Sequence, residues 1–162
     1  LYTATRLALR RGLENPMAAD ERAGATRRAV AALLAPAGIG ADEAEALFAR
    51  MPDVGFQRGR PDHVAWQARA PLLAPEARLA AGDTCVEARP VGDARALEVF
   101  VHSPDRDGLF AAIVITLDRL GLAIAQARVL DGPRGRVFDS FEVVPTDERV
   151  LLRHPDVPKR LD

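Results

Sequence analysis

Residues 96–145 carry the clearest hydrophobic pattern in the chain. Apolar and polar residues alternate around Leu97, Val99 and Val101, which is typical of a half-buried strand. Apolar residues then recur at helical spacing over residues 110–121, and a second apolar strand pattern covers residues 137–144. The pattern predicts a strand, a turn, a helix, a strand, a tight turn and another strand, with the helix covering one face of the sheet.

This order matches the first three quarters of a ferredoxin-like βαββαβ unit. After Pro145 the sequence contains Pro155 and Pro158, which leave little room for a second helix and a fourth strand. We therefore expect an α+β fold whose βαββ unit is incomplete at its C-terminus, after its third core strand. A sheet edge left open in this way tends to recruit another chain.

Residues 1–81 are rich in Ala, Leu, Arg and Glu and contain no β-branched clusters, which predicts helices. We expect a first helix that Pro16 ends, and a second from residue 18 or 20 to residue 35, with Val30, Leu33 and Leu34 on its buried side. A third should open with Asp42 and Glu45 as a capping box.

A fourth helix is expected over residues 61–70, where Pro71 ends it. Alternation over residues 85–89 and a turn-like stretch at 91–94 predict a hairpin that adds a strand ahead of the βαββ core. The domains are therefore predicted to be a helical segment at 1–81 and a sheet domain at 82–162.

The turn at residues 103–109 carries the candidate chemistry. We expect Ser or Asp to cap the free amides of the following helix, and Gly108 to let the backbone approach a ligand closely. Free N–H groups at a helix N-terminus attract a carboxylate, which makes a small amino acid a suitable ligand. The candidate ligand-binding residues are those of the turn and those at the start of the second core strand: Asp105, Asp107, Gly108, Leu109, Ile124, Ala125 and Gln126.

Composition narrows the classes of partner. The chain has 22 basic and 23 acidic residues, so it lacks the basic excess that a nucleic-acid-binding domain shows. The longest apolar run, residues 109–117, is far shorter than the ~20 residues that span a bilayer. The single cysteine, Cys85, agrees with a reducing cytoplasm. We expect no nucleic-acid or membrane partner and a cytoplasmic location.

The sequence predicts no metal site and no catalytic residue. Asp105 and Asp107 form an Asp-x-Asp pair, but no third carboxylate or Gly-Ser motif accompanies it. The histidines, His63, His102 and His154, are too widely spaced to suggest a shared metal ion. We interpret His102 and Trp66 as structural residues.

Several segments resemble known families. The turn at residues 105–109 is similar to the D-x-x-G-L turn of ACT domains, which sense amino acids. Residues 7–17 and 56–69 resemble the stretch that joins an HD hydrolase domain to the first ACT domain in bacterial PII uridylyltransferases. Residues 102–106 resemble the turn that opens that ACT domain. In the second segment Gly59, Arg60 and Gln67 depart from the family pattern, while these residues match it: Phe56, Arg58, Pro61, Val64, Ala65 and Trp66.

That resemblance implies a regulatory role. The family transfers a uridylyl group from UTP to the signalling protein PII when glutamine is scarce and removes it when glutamine is plentiful, with Mg²⁺ or Mn²⁺ in both reactions. It implies a helical linker after an HD domain followed by the first ACT domain, with glutamine as effector and an ACT–ACT dimer. The nucleotidyltransferase Gly-Ser motif and the His-Asp pair of the HD domain are not in this sequence. We therefore expect the catalytic centres, and any cofactor, to lie outside it.

Two other interpretations remain open. The chain could be the regulatory tail of another enzyme that carries HD and ACT domains, such as a guanosine-tetraphosphate synthetase. Alternatively, its sheet could bind a partner domain and no ligand, and a turn blocked by Phe110 or His102 would favour that function.

Overall fold

The structure is a computed structural model that describes residues 16–73, 84–92 and 95–147. Four α-helices come first, with a 3-10 turn at Ala35–Ala37 between the first two. They are α1 (Pro16–Leu34), α2 (Ala41–Phe48), α3 (Asp53–Arg58) and α4 (Pro61–Leu73). The strands and the last helix follow as β1 (Cys85–Val91), β2 (Ala96–Pro104), α5 (Leu109–Arg119), β3 (Leu122–Arg128), β4 (Asp131–Gly132) and β5 (Arg136–Pro145). The expected α+β class and the βαββ order are confirmed.

Within the described residues the strands form one antiparallel sheet in the order β1-β2-β5-β3, with the short β4 beside β5. The predicted hairpin is present, since β1 pairs with β2 from Cys85 opposite His102 to Val91 opposite Ala96. In a ferredoxin-like unit the fourth strand occupies this place beside the first core strand. The expectation of an open edge there is wrong, because β1 fills it and pairs the backbone groups of β2.

The sheet lies between two layers of helix. Residues of β2 alternate between its faces, so Val99 and Val101 pack towards α5 while Phe100 joins the core of the helices α1–α4. Both faces are therefore covered, which explains why nearly every residue of β2 and β5 is buried or half-buried. We refer to α1–α4 as the helical layer; Phe100 and Phe138 belong to its core.

The helical layer corrects several predictions. The helix expected to begin near residue 18 begins at Pro16, where a missing N–H costs nothing. Leu33 is 51% exposed, because the buried stripe of α1 runs through Ala23, Val30 and Leu34, and Leu33 lies about 60–100° to one side of these residues. The predicted helix before Pro16 lies outside the described residues, as do residues 74–83, where the predicted domain boundary falls.

Other helix termini also differ from the predictions. The cap of α2 is Gly40, no side chain bonds to the helix start, and Asp42 lies within the first turn, so the capping box is wrong. Helix α4 continues through Pro71 to Leu73, since a proline removes one hydrogen bond without preventing helical backbone angles. On α5, Ile113 and Leu117 pack as predicted, but Phe110 and the C-cap residue Leu120 are 48% and 42% exposed.

None of the described helices combines the length and the hydrophobicity that crossing a bilayer requires.

Candidate functional site

The turn between β2 and α5 has a glycine where the helix begins. Gly108 adopts φ 78°, a left-handed conformation that residues with a side chain rarely adopt, and it is the N-cap of α5. No side chain bonds to the helix start, so the expectation that Ser or Asp caps these amides is wrong. A Cβ added at Gly108 would meet no atom within 4 Å, which leaves the space beside the turn open.

Backbone hydrogen bonds fix this turn and leave several of its amides without an acceptor. The Asp105 N–H donates to the carbonyl of Gly135 at 2.8 Å, and the Leu109 N–H donates to Arg106 at 3.1 Å. The amides of Asp107, Gly108, Phe110 and Ala111 find no acceptor among the described residues. The donors available to a ligand at this helix N-terminus are therefore those of Asp107, Gly108, Phe110 and Ala111, while the Leu109 amide is used within the turn.

A buried carboxyl on β5 interacts electrostatically with Asp105 of this turn. Asp139 is 2% exposed and accepts a 3.3 Å bond from the Leu130 N–H. Burial raises the pKa of Asp139, and the charges of Asp131 and Asp105 raise it further, against the lowering effect of the Leu130 bond. Asp139 could not be recognised from the sequence, because it lies within an apolar strand pattern.

The second half of the predicted site lies far from the turn within one chain. Gln126 pairs with Glu142, which pairs with Glu98, and Glu98 precedes the end of β2 at Pro104 by six positions, or about 20 Å along the strand. Only a second copy could bring this part of β3 to the turn.

A bulge also separates the three β3 residues from one another. The register shifts between Ile124 and Gln126, so Ile124 lies opposite Val143 while Gln126 lies opposite Glu142. Ile124 thus packs in the α5-side core, and Gln126 lies on the face towards the helical layer. Ala125 is exposed between them. They cannot all face one ligand from a single side.

His102 is buried and hydrogen-bonded within the sheet, as expected for a structural residue. It is 4% exposed, its Nδ1 donates to the Val137 carbonyl at 2.9 Å, and its Nε2 accepts from Arg136 Nε at 3.0 Å. Its ring centre lies 4.3 Å from that of Phe138, which belongs to the core of the helical layer. His102 therefore points away from the α5 side and does not block the turn.

A polar cluster joins α4 to the sheet. Glu98 accepts a hydrogen bond from His63 and two from Arg89, at 2.9 and 2.7 Å. Burial pushes the pKa of Glu98 up, but the bonds from His63 and Arg89 and the positive charge of these groups outweigh it, so its pKa lies below the usual value.

Trp66 packs beside this cluster, as its structural interpretation predicted. The Arg89 guanidinium lies 4.3 Å from the centre of the Trp66 ring, and the ring meets Phe100 edge-on at 5.9 Å. Gln67, 4% exposed, donates to the Ser140 hydroxyl at 2.7 Å. Sequence reasoning missed His63, Gln67 and Glu98, because their partners lie far away along the chain. The one available signal was a polar residue on a helix next to Trp66.

No group of three His, Cys, Asp or Glu side chains within the described ranges could hold a metal ion.

Comparison with known proteins agrees with this architecture. Residues 18–70 match the family described as "Uridylyltransferase GlnD fifth domain". The chain is 50% identical over 148 residues to a bifunctional uridylyltransferase/uridylyl-removing enzyme of Xanthomonas campestris pv. campestris (strain B100), covering 91% of this chain and 16% of that protein. A protein of the same name from Azotobacter vinelandii is 32% identical over 158 residues, covering 96% of this chain and 17% of the relative.

The fold and the turn define a class: an ACT-like βαββ sheet with a helical layer packed on its second face. Within that class, and over 91% of its length, the chain is similar to one segment of the bifunctional uridylyltransferase/uridylyl-removing enzymes. It spans about a sixth of the length of the relatives it matches. The alternative of a guanosine-tetraphosphate synthetase tail is thereby set aside.

Proposed function

We propose that this chain is the glutamine-sensing regulatory segment of a bifunctional uridylyltransferase/uridylyl-removing enzyme. The observation that carries the proposal is the turn before α5, where Gly108 adopts φ 78° and the Phe110 and Ala111 amides have no acceptor in the described part of the chain. The glutamine carboxylate binds these amides.

The proposal also includes the longer protein. It assigns UTP, Mg²⁺ or Mn²⁺ and the modification of PII to catalytic centres outside this chain, in a cytoplasmic enzyme. Since residues 124–126 lie about 20 Å from the turn in their own chain, any contact they make with glutamine comes from a second copy in an ACT–ACT dimer.

Signal transfer rests on the layered packing. Phe100 and Phe138, from the two central strands, belong to the core of the helical layer, and Gln67 bonds to Ser140 across the same boundary. A ligand that binds one arrangement of the sheet more tightly than another therefore also biases the helices.

The test is calorimetric titration of the intact chain with L-glutamine, comparing Gly108→Ala with Gly38→Ala. Gly38 adopts φ 86° and, like Gly108, has no atom within 4 Å of an added Cβ. Both variants should lose about 1–2 kcal/mol of stability from alanine in a left-handed conformation. Only Gly108→Ala should weaken glutamine binding, by roughly tenfold or about 1.4 kcal/mol, because the new methyl group lies where the carboxylate approaches.

Equal glutamine affinity in the two variants would remove the turn from the proposal. Failure of the unaltered chain to bind glutamine would favour a second function, a partner-binding module. The exposed side chains of Phe110 and Ile115 on α5 and of Leu120 at its C-cap, at 48%, 51% and 42%, favour that candidate.

A further inference from the structure

A cavity of about 430 Å³ opens between the helical layer and the sheet, on the face opposite to α5. The region around α3 and α4 contributes Arg58 and Arg60, while the sheet contributes Arg89 and Arg128. Its volume falls in the range of small-molecule sites. The bulge in β3 is what turns Arg128 to this face, because it places the strand beyond Ala125 in register with Glu142 and Ser140.

Two of the four arginines already have carboxylate partners. Arg60 makes a fork with Asp62 through two bonds of 3.1 Å, and Arg89 bonds to Glu98 beneath the cavity. Arg58 and Arg128 make no hydrogen bond or ion pair within the described residues. The cavity therefore carries two guanidinium groups, one from each layer, whose donors are unused, and Glu142 is the one lining carboxylate without a described partner.

The floor of the cavity is fixed in place. His63 and Arg89 hold Glu98 from two sides, and the Arg89 guanidinium rests on the Trp66 ring. A site with such a floor needs little rearrangement to accept a ligand, which lowers the cost of binding. Guanidinium groups recognise carboxylate and phosphate oxygens through paired N–H donors.

We propose that this cavity binds a small anion whose carboxylate or phosphate oxygens are held by Arg58 and Arg128. The ligand links the helical layer to the sheet, since one arginine comes from each. The site is separate from the turn before α5, because it lies on the other face of the sheet and shares no residue with it.

The test is an NMR titration of the intact chain with inorganic phosphate and, separately, with acetate, at constant ionic strength. The matched variants are Arg58→Gln, Arg128→Gln and the double substitution. Arg119→Gln is the control, because this substitution removes the same positive charge from an exposed residue outside the cavity, in the last turn of α5. Thermal unfolding of each variant checks that the fold is kept, which we expect because none of the three side chains makes a described bond.

One probe should produce saturable shifts at the signals of residues 58–63 and 89–92. Each single cavity variant should raise the dissociation constant roughly tenfold, the double variant should abolish saturation, and Arg119→Gln should leave binding unchanged. Saturation by phosphate alone identifies a phosphate-bearing ligand, and saturation by acetate alone identifies a carboxylate. No saturable shift with either probe at about 10 mM, or equal binding by the double variant and Arg119→Gln, would overturn the proposal.

Discussion

At the scale of single residues, His102 shows how the fold changes chemistry. Burial lowers the pKa of His102 to about 4; the bond to the Val137 carbonyl works against this, and the charges of Arg136 and Arg50 add to it. A donor at Nδ1 and an acceptor at Nε2 describe the neutral ring. His102 therefore stabilises the sheet only while it remains unprotonated.

This gives a prediction about pH. Between pH 6.5 and about 4 the unfolded chain binds a proton at His102 and the folded chain does not, so the free energy of unfolding should fall as the pH falls through that window. Between about pH 7 and pH 5 the loss should be of the order of 2 kcal/mol. In His102→Gln this part of the pH dependence should disappear. Urea unfolding at about pH 7, 6 and 5 measures how the free energy of unfolding depends on pH in the unaltered chain and in His102→Gln. The same pH dependence in both proteins would show that His102 is not buried in neutral form.

At the scale of elements, Gly59 closes the short loop between α3 and α4. A Cβ there would clash with the Gly55 carbonyl oxygen and would lie 2.6 Å from a methyl group of Val64. Gly55, four residues earlier within α3, has no atom within 4 Å of an added Cβ. Comparing alanine substitutions at Gly59 and Gly55 therefore separates the effect of close packing from the effect of helix propensity.

We predict that Gly59→Ala destabilises the chain by about 1–3 kcal/mol, because the backbone of α3 must shift. Gly55→Ala should be neutral or stabilising by up to about 1 kcal/mol, since alanine favours a helix. Chemical denaturation of both variants measures the difference. Equal stability of the two would mean that the α3–α4 loop is not packed as the structure shows.

The helices and strands that could be predicted from the sequence are those in which hydrophobic residues recur at a regular spacing. The strands β2 and β5 and the helix α5 follow their hydrophobic spacing, and the turn between β2 and α5 is where Pro104 and Gly108 placed it. Helix α3 was missed, since six residues with a glycine inside give too short a pattern.

In the candidate site, too, local features could be predicted from the sequence and long-range contacts could not. The turn at Gly108 is local and could be predicted, while the buried Asp139 on β5, which interacts electrostatically with the turn, could not. The bond from Gln67 to Ser140 joins residues 73 positions apart, so no local pattern contains it. Long-range pairing also decides that β1 fills the sheet edge, which local sequence left open.

At the scale of the whole molecule, the described residues form three layers: helices α1–α4, the sheet, and α5. The proposed glutamine site lies on the α5 side and the proposed anion site on the helical-layer side. Between them the central strands are buried on both faces, so a shift of the sheet at one site changes packing at the other.

The most direct test of the central claim, that glutamine binds at the turn and that the helical layer responds, is hydrogen exchange of the intact chain with and without L-glutamine. We predict slower exchange of the amides at residues 107–111, where the carboxylate binds, together with changed exchange in α4 at residues 62–69, which pack on the sheet. Slowed exchange at the turn with no change in α4 would remove the signalling half of the claim. Glutamine binding with no change at residues 107–111 would contradict the claim as a whole.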